Sequence, residues 1–190
     1  MANITNVRIN GKETSKVLIN GGIWFQKDNS PTDAYINYNF EIEELSAHLS
    51  TFKADINNDN AHMPGETLNT TYRVESSQIR DEVNSDTTLI ASEKASLLSS
   101  LDALDQDIRD VDSIIQVKTT SAEENYNIAL EAYNTAVQQV YDNVYVPEDY
   151  QSPTVQGYIE EARVAHQSLS DAVPLYNMYV GYAETPEFPF

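Results

Sequence analysis

The residues whose types and spacing come closest to a chemical signature lie between positions 55 and 66. Asp55, Asn57, Asp59 and Glu66 occupy positions one, three, five and twelve of a calcium loop of EF-hand type. Carboxylate and amide oxygens at that spacing can surround a hard cation. However, Asn60 stands where the sharp turn of such a loop takes glycine, and no second loop is present to pair with it. We therefore expect a linker rich in turn-forming Asn and Asp, and cation binding stays an open alternative.

Catalytic motifs are not visible elsewhere in the chain. The three histidines, at positions 48, 62 and 166, are scattered and show no metal-binding spacing. The nucleophile elbow, the P-loop and the dinucleotide-binding glycine motif are also missing. Acidic neighbours such as Glu43 and Glu44 point in different directions on a helix, so we interpret them as solvated. The sequence therefore predicts a protein that is not an enzyme, that has no cofactor and that has no metal site apart from the open alternative at residues 55–66.

Acidic residues dominate the chain and are unevenly distributed. The formal net charge is -19, with 30 Asp and Glu against 11 Lys and Arg. Residues 1–53 are nearly balanced, whereas residues 54–190 carry six basic residues against 24 acidic ones. Such a surface repels phosphate groups, so neither nucleic acid nor an anionic membrane surface is an expected partner. The acidity favours a long, exposed and soluble protein, with docking to a basic partner as the alternative.

Targeting and membrane signals are not expected either. The chain has no run of about 18 apolar residues, so no transmembrane helix is predicted. Its first residues lack the basic and apolar regions of a secretory signal. The chain has no cysteine, which excludes disulfides and cysteine-bound zinc but does not indicate the compartment.

The first 56 residues are expected to form a small β module with one short helix. Asn10-Gly11 and Asn20–Gly22 are hairpin turn signals, and together they predict a three-stranded meander. Polar and apolar residues alternate strictly from Ala34 to Ile42, which predicts a half-buried strand. Residues 43–54 then have helical spacing. A module of this size buries too little surface to be stable on its own.

The second predicted hairpin contains the single tryptophan of the chain. Ile23 and Phe25 share one face of its second strand, and Trp24 points to the other face. We interpret Ile23 and Phe25 as core residues of the small module. Trp24 would then be exposed unless a neighbour covers it, so it is a candidate interface residue.

A polar linker is predicted at residues 57–70, and a long helical or coiled-coil region follows at residues 71–146. Aliphatic residues there recur in steps of four and three, which is the spacing of a coiled-coil seam. The seam comprises Leu97, Leu101, Leu104, Ile108, Val111 and Ile115. Ile79, Val83 and Ile90 extend it upstream, so we expect a seam from Ser76 to Val117, about 63 Å long. Such a helix needs a partner for its apolar stripe, either other copies or a second helix of its own chain.

A second aliphatic and aromatic seam follows the first one. It comprises Tyr126, Leu130, Tyr133, Val137, Val140 and Val144. Between the two seams, Ser121 and Glu124 form a capping-box pattern after the weak helix formers Thr119 and Thr120. This pattern favours a new helix at Ser121, and one continuous helix with a stutter at Thr119–Ser121 is the alternative.

Residues 147–190 are predicted to form a last helix and an irregular aromatic tail. Ser152 and Pro153 are suited to begin the helix, and Pro174 is expected to end it. The tail contains large aromatic residues outside any helical pattern, which is typical of interfaces. The candidate partner-binding residues of the tail are Tyr176, Tyr179, Tyr182, Phe188 and Phe190. The alternative is that the tail folds back onto its own chain.

The chain has a short hairpin motif at Lys16, Val17, Asn20, Gly21 and Trp24, followed by an acidic coiled coil and an aromatic end. In these features it resembles virion structural proteins of tailed bacteriophages. The resemblance covers about thirty residues plus the overall organisation. It implies a multicopy tail, baseplate, neck or head-fibre component located in the virion, with cytoplasmic or extracellular protein as the alternative.

These observations together predict an elongated α+β protein. A small N-terminal β-hairpin module would be followed by long helices, arranged as a coiled-coil stalk or a helical hairpin, and by the aromatic tail. The expected function is non-enzymatic assembly: a fibre, an adaptor or an attachment protein that forms a homo-oligomer and binds other structural proteins of the same assembly. The alternative is a monomeric helical bundle that recognises a protein or glycan partner.

Overall fold

A computed structural model describes the backbone of residues 7–9, 12–14, 16–19 and 22–26, and both the backbone and the side chains of residues 30–190. The strands are β1 (Val7–Ile9), β2 (Lys12–Thr14), β3 (Lys16–Ile19) and β4 (Gly22–Gln26). They pair antiparallel as two separate ribbons, β1 with β2 and β3 with β4. Within the described residues, the two ribbons do not join into a larger sheet.

The expected α+β fold is wrong, because the described chain is a helical protein. No three-stranded meander is formed by the described strands. The predicted strand Ala34–Ile42 lies inside α1 (Asp33–Asn57), a helix of 25 residues. The Oγ1 atom of Thr32 accepts a hydrogen bond from the backbone N–H of Tyr35 at 3.1 Å and so caps this helix. The small β module of residues 1–56 is therefore replaced by a long helix over nearly half of its length.

The alternation in Ala34–Ile42 was misleading because the same residues also fit a helical pattern. The buried positions of α1 are Ile42, Leu45, Leu49 and Ile56, in steps of three, four and seven. Tyr35 and Tyr38 pack partly buried against the same core, at the same spacing upstream. Period-two and helical patterns cannot be distinguished over nine residues when aromatic residues are frequent on both faces.

Helix formation resumes within the predicted linker of residues 57–70. A short turn of helix α2 (Pro64–Thr67) continues through a π-helical turn (Leu68–Tyr72) into α3 (Arg73–Ser85). Asp59 and Met63, between α1 and α2, have φ angles of 55° and 44°, which bring the chain back over α1. The phenyl ring of Phe52 stacks on Tyr72 with 5.2 Å between ring centroids.

The predicted seam from Ser76 to Val117 is not one helix. Residues 86–90 interrupt it, and α3 runs antiparallel to α4 (Ala91–Asp142). The six predicted seam residues from Leu97 to Ile115 are all buried, and they pack in one cluster with residues of α1 and α3. The stripe therefore finds its partners in its own chain, which is the second of the two alternatives.

Three aspartates beside the seam fix the antiparallel pairing of α3 with α4. Arg80 forms ion pairs with Asp102 at 2.9 Å and with Asp105 at 2.7 Å. The buried hydroxyl of Ser76 donates to Asp105 at 2.6 Å. Near the other end of α3, Arg73 pairs with Asp112 at 2.8 Å. Because each bond links a residue of α3 to one of α4, the set determines how far one helix is displaced along the other.

Helix α4 is continuous over 52 residues, so the favoured break at Ser121 is wrong and the alternative of one helix is confirmed. At about 1.5 Å per residue it is about 78 Å long. Within the helix, the hydroxyl of Thr119 donates to the carbonyl of Ile115 at 2.8 Å. The small residues Ala122 and Ala129 are buried, so the packed face of α4 continues from the first seam into the second.

The chain then reverses through a 3₁₀ turn (Pro147–Gln151) into α5 (Pro153–Tyr179). Pro174 lies inside α5 and does not end it, contrary to the expectation. Helix α5 runs antiparallel to the second half of α4, where Leu169 packs against Ala129 and Tyr133, and Val155 packs near Val140. The first half of α4 is thus covered by α1 and α3, and its second half by α5 and the C-terminal tail.

Candidate functional site

The aromatic tail folds back along α4 and α5. Phe188 contacts His166 with 5.4 Å between ring centroids, and the guanidinium of Arg163 lies 5.6 Å from the centre of the Phe188 ring. His166 Nε2 forms a hydrogen bond of 2.7 Å with the carbonyl oxygen of Pro186. This arrangement matches the second of the two alternatives for the tail.

The last residue of the chain completes this cluster. Phe190 packs edge-on against Phe188 at 5.7 Å and lies 5.2 Å from the ring of Tyr141. Its ring is also 6.4 Å from that of Tyr150. Upstream, Asn177 holds the start of the tail by donating to the carbonyl of Ala183 at 2.9 Å and accepting from its N–H at 2.6 Å. Phe188 and Phe190 are therefore packed, half-buried side chains.

Tyr176 and Tyr179 also contact the chain itself. The ring of Tyr176 lies 4.3 Å from that of Tyr126 in α4. The hydroxyl of Tyr179 donates to the carbonyl of Ile56 at 3.0 Å and to Asp59 Oδ1 at 2.9 Å. Tyr179 thereby joins the end of α5 to the end of α1.

The remaining two candidate interface residues are Tyr182 and Trp24. Tyr182 is 81 % exposed and is the most solvent-accessible of the candidate tail residues. Trp24 lies in β4, and its side chain falls outside the part of the chain that the structure describes. The five tail candidates, which lie in the described part of the chain, are therefore not brought together into one exposed surface.

Two of the residues that could have formed a calcium loop, Asn57 and Asp59, contact Lys118 of α4 instead. The ammonium of Lys118 pairs with Asp59 at 2.5 Å and donates to the carbonyl of Asn57 at 3.2 Å. Asp55 is an exposed residue within the last turns of α1. Within the described residues, no three His, Asp or Glu side chains gather so that they could hold a metal ion. Asp59 thus pairs with Lys118 and Tyr179 in a junction between helices, which we call the Asp59 junction.

The electrostatics of the Asp59 junction follow from these contacts. The hydrogen bond from Lys118, supported by that from Tyr179, holds the pKa of Asp59 below its ordinary value. Burial raises the pKa of Tyr179 well above its ordinary value, and the neighbouring carboxylate of Asp59 adds to the effect. Lys118 also lies 5.8 Å from the centre of the Tyr179 ring. The junction therefore consists of a carboxylate, an ammonium and a neutral phenol at neutral pH.

An acidic groove between α1 and α3 was not identified from the sequence. It encloses about 490 Å³, has Leu45 and Ile79 in its apolar part, and is lined by Glu41, Glu44, Glu75, Glu82 and His48. Among the described residues, no lysine or arginine forms an ion pair with these glutamates. The spacing of residues alone could not predict this groove, because Glu41 and Glu75 become neighbours only when α3 folds back onto α1. Carboxylates alone do not define a ligand, so we assign no activity to this groove.

A second surface missed by the sequence reasoning is the outer face of α4 beyond the junction. Val117 and Ile128 are 66 % and 67 % exposed on this face, away from α5. They are eleven residues apart, so they lie on the same side of the helix. Ser121, Ala132 and Thr135 share that side and carry no charge, whereas Glu124, one turn before Ile128, also lies there. We call the five uncharged residues the outer strip.

Two findings concern the whole of the described chain. None of its helices combines the length and the apolar character that crossing a membrane requires. Comparison of the sequence with protein-family models, with curated proteins and with solved structures finds no match.

Proposed function

We propose that the protein is a non-enzymatic structural or assembly protein that associates with copies of itself. The resemblance of its N-terminal motif to virion proteins of tailed bacteriophages supports a role as a fibre, adaptor, neck or baseplate component. The elongated helical arrangement supports a spacer within such an assembly, since α4 alone extends over about 78 Å. Other structural proteins of the same particle would bind at its ends.

The observation that carries this proposal is the unequal covering of α4. Its first half packs against two helices, α1 and α3, whereas its second half packs against α5 and the tail. The outer strip of Val117, Ser121, Ile128, Ala132 and Thr135 is exposed in that second half. Val117 and Ile128 are its two large apolar side chains, and exposed apolar surface rimmed by polar residues is typical of a contact with another protein.

The outer strip is the surface on which a second copy of the chain can be the partner. Two copies that each carry a net charge of -19 repel each other over most of their surfaces. The five residues of the outer strip are uncharged, and two carboxylates, Glu124 and Glu131, lie beside them within about one helical turn of Ile128. Contact along the strip places the uncharged side chains of two copies against each other. Two helical hairpins joined in this way give a cross-section of four helices.

Single cysteines test this contact directly, because the natural chain contains none. Ala132→Cys places one thiol on the outer strip, and Ser77→Cys places one on the exposed side of α3 as a matched control. Under mild oxidation we expect Ala132→Cys to form a covalent dimer and Ser77→Cys to stay monomeric. Equal cross-linking of both variants, or none in either, contradicts association through the outer strip.

The proposed location in a virion needs a separate test. Gold-labelled antibody against the protein, applied to purified virions of the phage that encodes it, is expected to mark one fixed position on each particle. Particles that stay unlabelled while the free protein is recognised contradict the virion assignment and leave the self-association result unaffected.

A further inference from the structure

The C-terminal tail lies in an extended form between α4 and α5. Asn177 of α5 bonds to Ala183, whereas the guanidinium of Arg163, fourteen residues earlier in α5, lies against the ring of Phe188. That part of α5 is about 21 Å long, and the five residue steps from Ala183 to Phe188 span at most about 18 Å. The tail is therefore nearly fully extended and runs antiparallel to α5.

Side chains of α4 and α5 bind the backbone of this extended segment. His166 Nε2 donates to the carbonyl of Pro186 at 2.7 Å. The hydroxyl of Tyr133, in α4, donates to the carbonyl of Glu187 at 3.5 Å. Bonds to the backbone, together with pockets for alternate side chains, are how proteins commonly recognise an extended peptide. The two helices therefore hold the tail in the way that they would hold a separate peptide ligand.

The rings of Phe188 and Phe190 anchor the segment. Residues two apart in an extended chain point to the same side, and both rings pack against the cluster that contains the fully buried Val140 and Ala162. Loss of the tail would expose apolar side chains of this cluster, so the surface needs an occupant. We call the surface between α4 and α5 that holds the two rings the tail groove. It comprises Tyr133, Val140, Ala162 and His166.

The tail is joined to α5 by an exposed hinge. Gly181 and Tyr182 are both exposed, and a side chain added at Gly181 would meet nothing within 4 Å. The chain can therefore change direction at Gly181 without a clash. The bonds and ring contacts in the tail groove involve residues 186–190 alone, beyond this hinge. They form in the same way when the segment comes from another chain.

We propose that the tail groove also accepts the C-terminal tail of a second copy, so that two chains exchange residues 183–190. The tail of a second copy carries the same two aromatic anchors and the same carbonyl groups. Exchange therefore makes every contact that the tail makes with its own chain, and it leaves neither groove empty.

This contact goes beyond the proposed function, because the outer strip faces away from α5 whereas the tail groove lies between α4 and α5. The short tether at Gly181 gives the chain's own tail an effective concentration in the millimolar range. In dilute solution each tail therefore stays in its own groove. Exchange is expected where copies are concentrated, as they are within an assembly.

A peptide with the sequence of residues 180–190 tests the groove. The acceptor is the full-length double variant Phe188→Ala with Phe190→Ala, whose own tail has lost both anchors. We expect the fluorescein-labelled peptide, followed by anisotropy, to bind this acceptor at least about tenfold more tightly than the natural protein, in which the tail competes. Adding His166→Ala to the acceptor should weaken binding, whereas Val164→Ala, at an exposed position of α5, is the matched control. Circular dichroism checks that the helices persist in each variant.

Exchange between whole chains is tested by mixing two full-length variants. The donor is His166→Ala, which keeps both rings of its tail and has a weakened groove. It also carries a fluorophore on Glu184→Cys, a unique position because the natural chain has no cysteine. We expect the anisotropy of the donor to rise with the acceptor, and to rise less with an acceptor that also carries His166→Ala. Both acceptors have the same outer strip, so association through that strip affects the two measurements equally.

Three results overturn the proposal. The first is a peptide that does not bind the acceptor. The second is a peptide that binds the acceptor and the natural protein equally, or that does not respond to His166→Ala, because its site would then lie elsewhere. The third is an acceptor that binds the peptide and does not capture the tail of the donor, since the groove would then serve only the tail of its own chain.

Discussion

The hydroxyl of Tyr179, at the end of α5, donates a hydrogen bond of 2.9 Å to Asp59, which lies 120 positions earlier in the chain. Lys118, near the middle of α4, pairs with the same carboxylate. The end of α1 and the end of α5 therefore meet over the middle of the longest helix. The junction therefore lies where the two packed regions of α4 meet.

Tyr179→Phe removes the phenol hydroxyl from the Asp59 junction and keeps the ring. Because the hydroxyl bonds both the carbonyl of Ile56 and the carboxylate of Asp59, we expect a loss of about 1–2 kcal/mol in the free energy of unfolding. Urea denaturation followed by circular dichroism measures it. Tyr182→Phe, at an exposed position, is the control and should change the stability by much less. Equal effects of the two substitutions would show that the junction does not stabilise the fold.

Glu93 is expected to make the stability depend on pH. Its carboxylate accepts hydrogen bonds from the N–H of Thr32 at 2.8 Å and from the N–H of Ile90 at 3.2 Å. The bond from Thr32 is the main reason why the pKa of Glu93 lies below its ordinary value. Asp59 has a lowered pKa as well, mainly because of the bond from Lys118.

A carboxyl whose pKa is lower in the folded state stabilises the fold above its ordinary pKa, and this contribution is lost as the pH falls through the lowered value. We therefore expect thermal stability to decrease on acidification below about pH 4.5. In Glu93→Gln the decrease should be smaller, and the stability near neutral pH should already be reduced. A variant with the same pH profile as the natural protein would exclude this role for Glu93.

We expect the largest loss of stability from a substitution in the core between α4 and the helices that cover it. Leu101 is fully buried among residues of α1, α3 and α4. Leu101→Ala leaves a cavity there and is expected to cost about 2–5 kcal/mol in the free energy of unfolding. Leu98→Ala, at a half-buried position of the same helix, is the matched control and should cost less. Chemical denaturation of both variants gives the comparison.

The folded-back tail can be tested by proteolysis. Replacing Phe188 and Phe190 together by alanine removes the ring contacts to His166 and Tyr141. We expect carboxypeptidase to shorten this double variant much faster than the natural protein. Helix content should stay the same, since the tail is not helical. Equal digestion rates would mean that the aromatic contacts do not hold the tail.

Part of this fold could be predicted from the sequence. The spacing from Leu97 to Ile115 identified six residues that are buried. It could not show that α1 and α3 cover them, because a seam of aliphatic residues has the same pattern whether its partner is another copy or another helix of the chain. The partner is another helix of the same chain because the chain reverses at residues 86–90. This reversal ends the seam that was expected to continue from Ser76.

Other predictions failed because they used local signals alone. Ser121 and Glu124 match a capping box, yet both are exposed within α4, which continues because Ala122 is packed on its inner face. The alternation of residues 34–42 indicated a strand, but the Thr32 cap and the contacts of Ile42 and Leu45 favour a helix. The aromatic tail resembled an interface because the sequence does not show where α5 lies. The bonds of the tail to His166 and Asn177 form only once α5 is in place.

Self-association through the outer strip is the central claim, and sedimentation equilibrium of the full-length protein tests it most directly. The comparison is between the natural chain and Ile128→Asp, which adds a carboxylate to a side chain that is 67 % exposed and plays no part in the core. We expect the natural protein to have the mass of an oligomer and Ile128→Asp to approach the monomer mass of 21.3 kDa. Val74→Asp, on α3, should keep the oligomer. A natural protein that sediments as a monomer at every concentration, or an Ile128→Asp variant with unchanged mass, contradicts the claim.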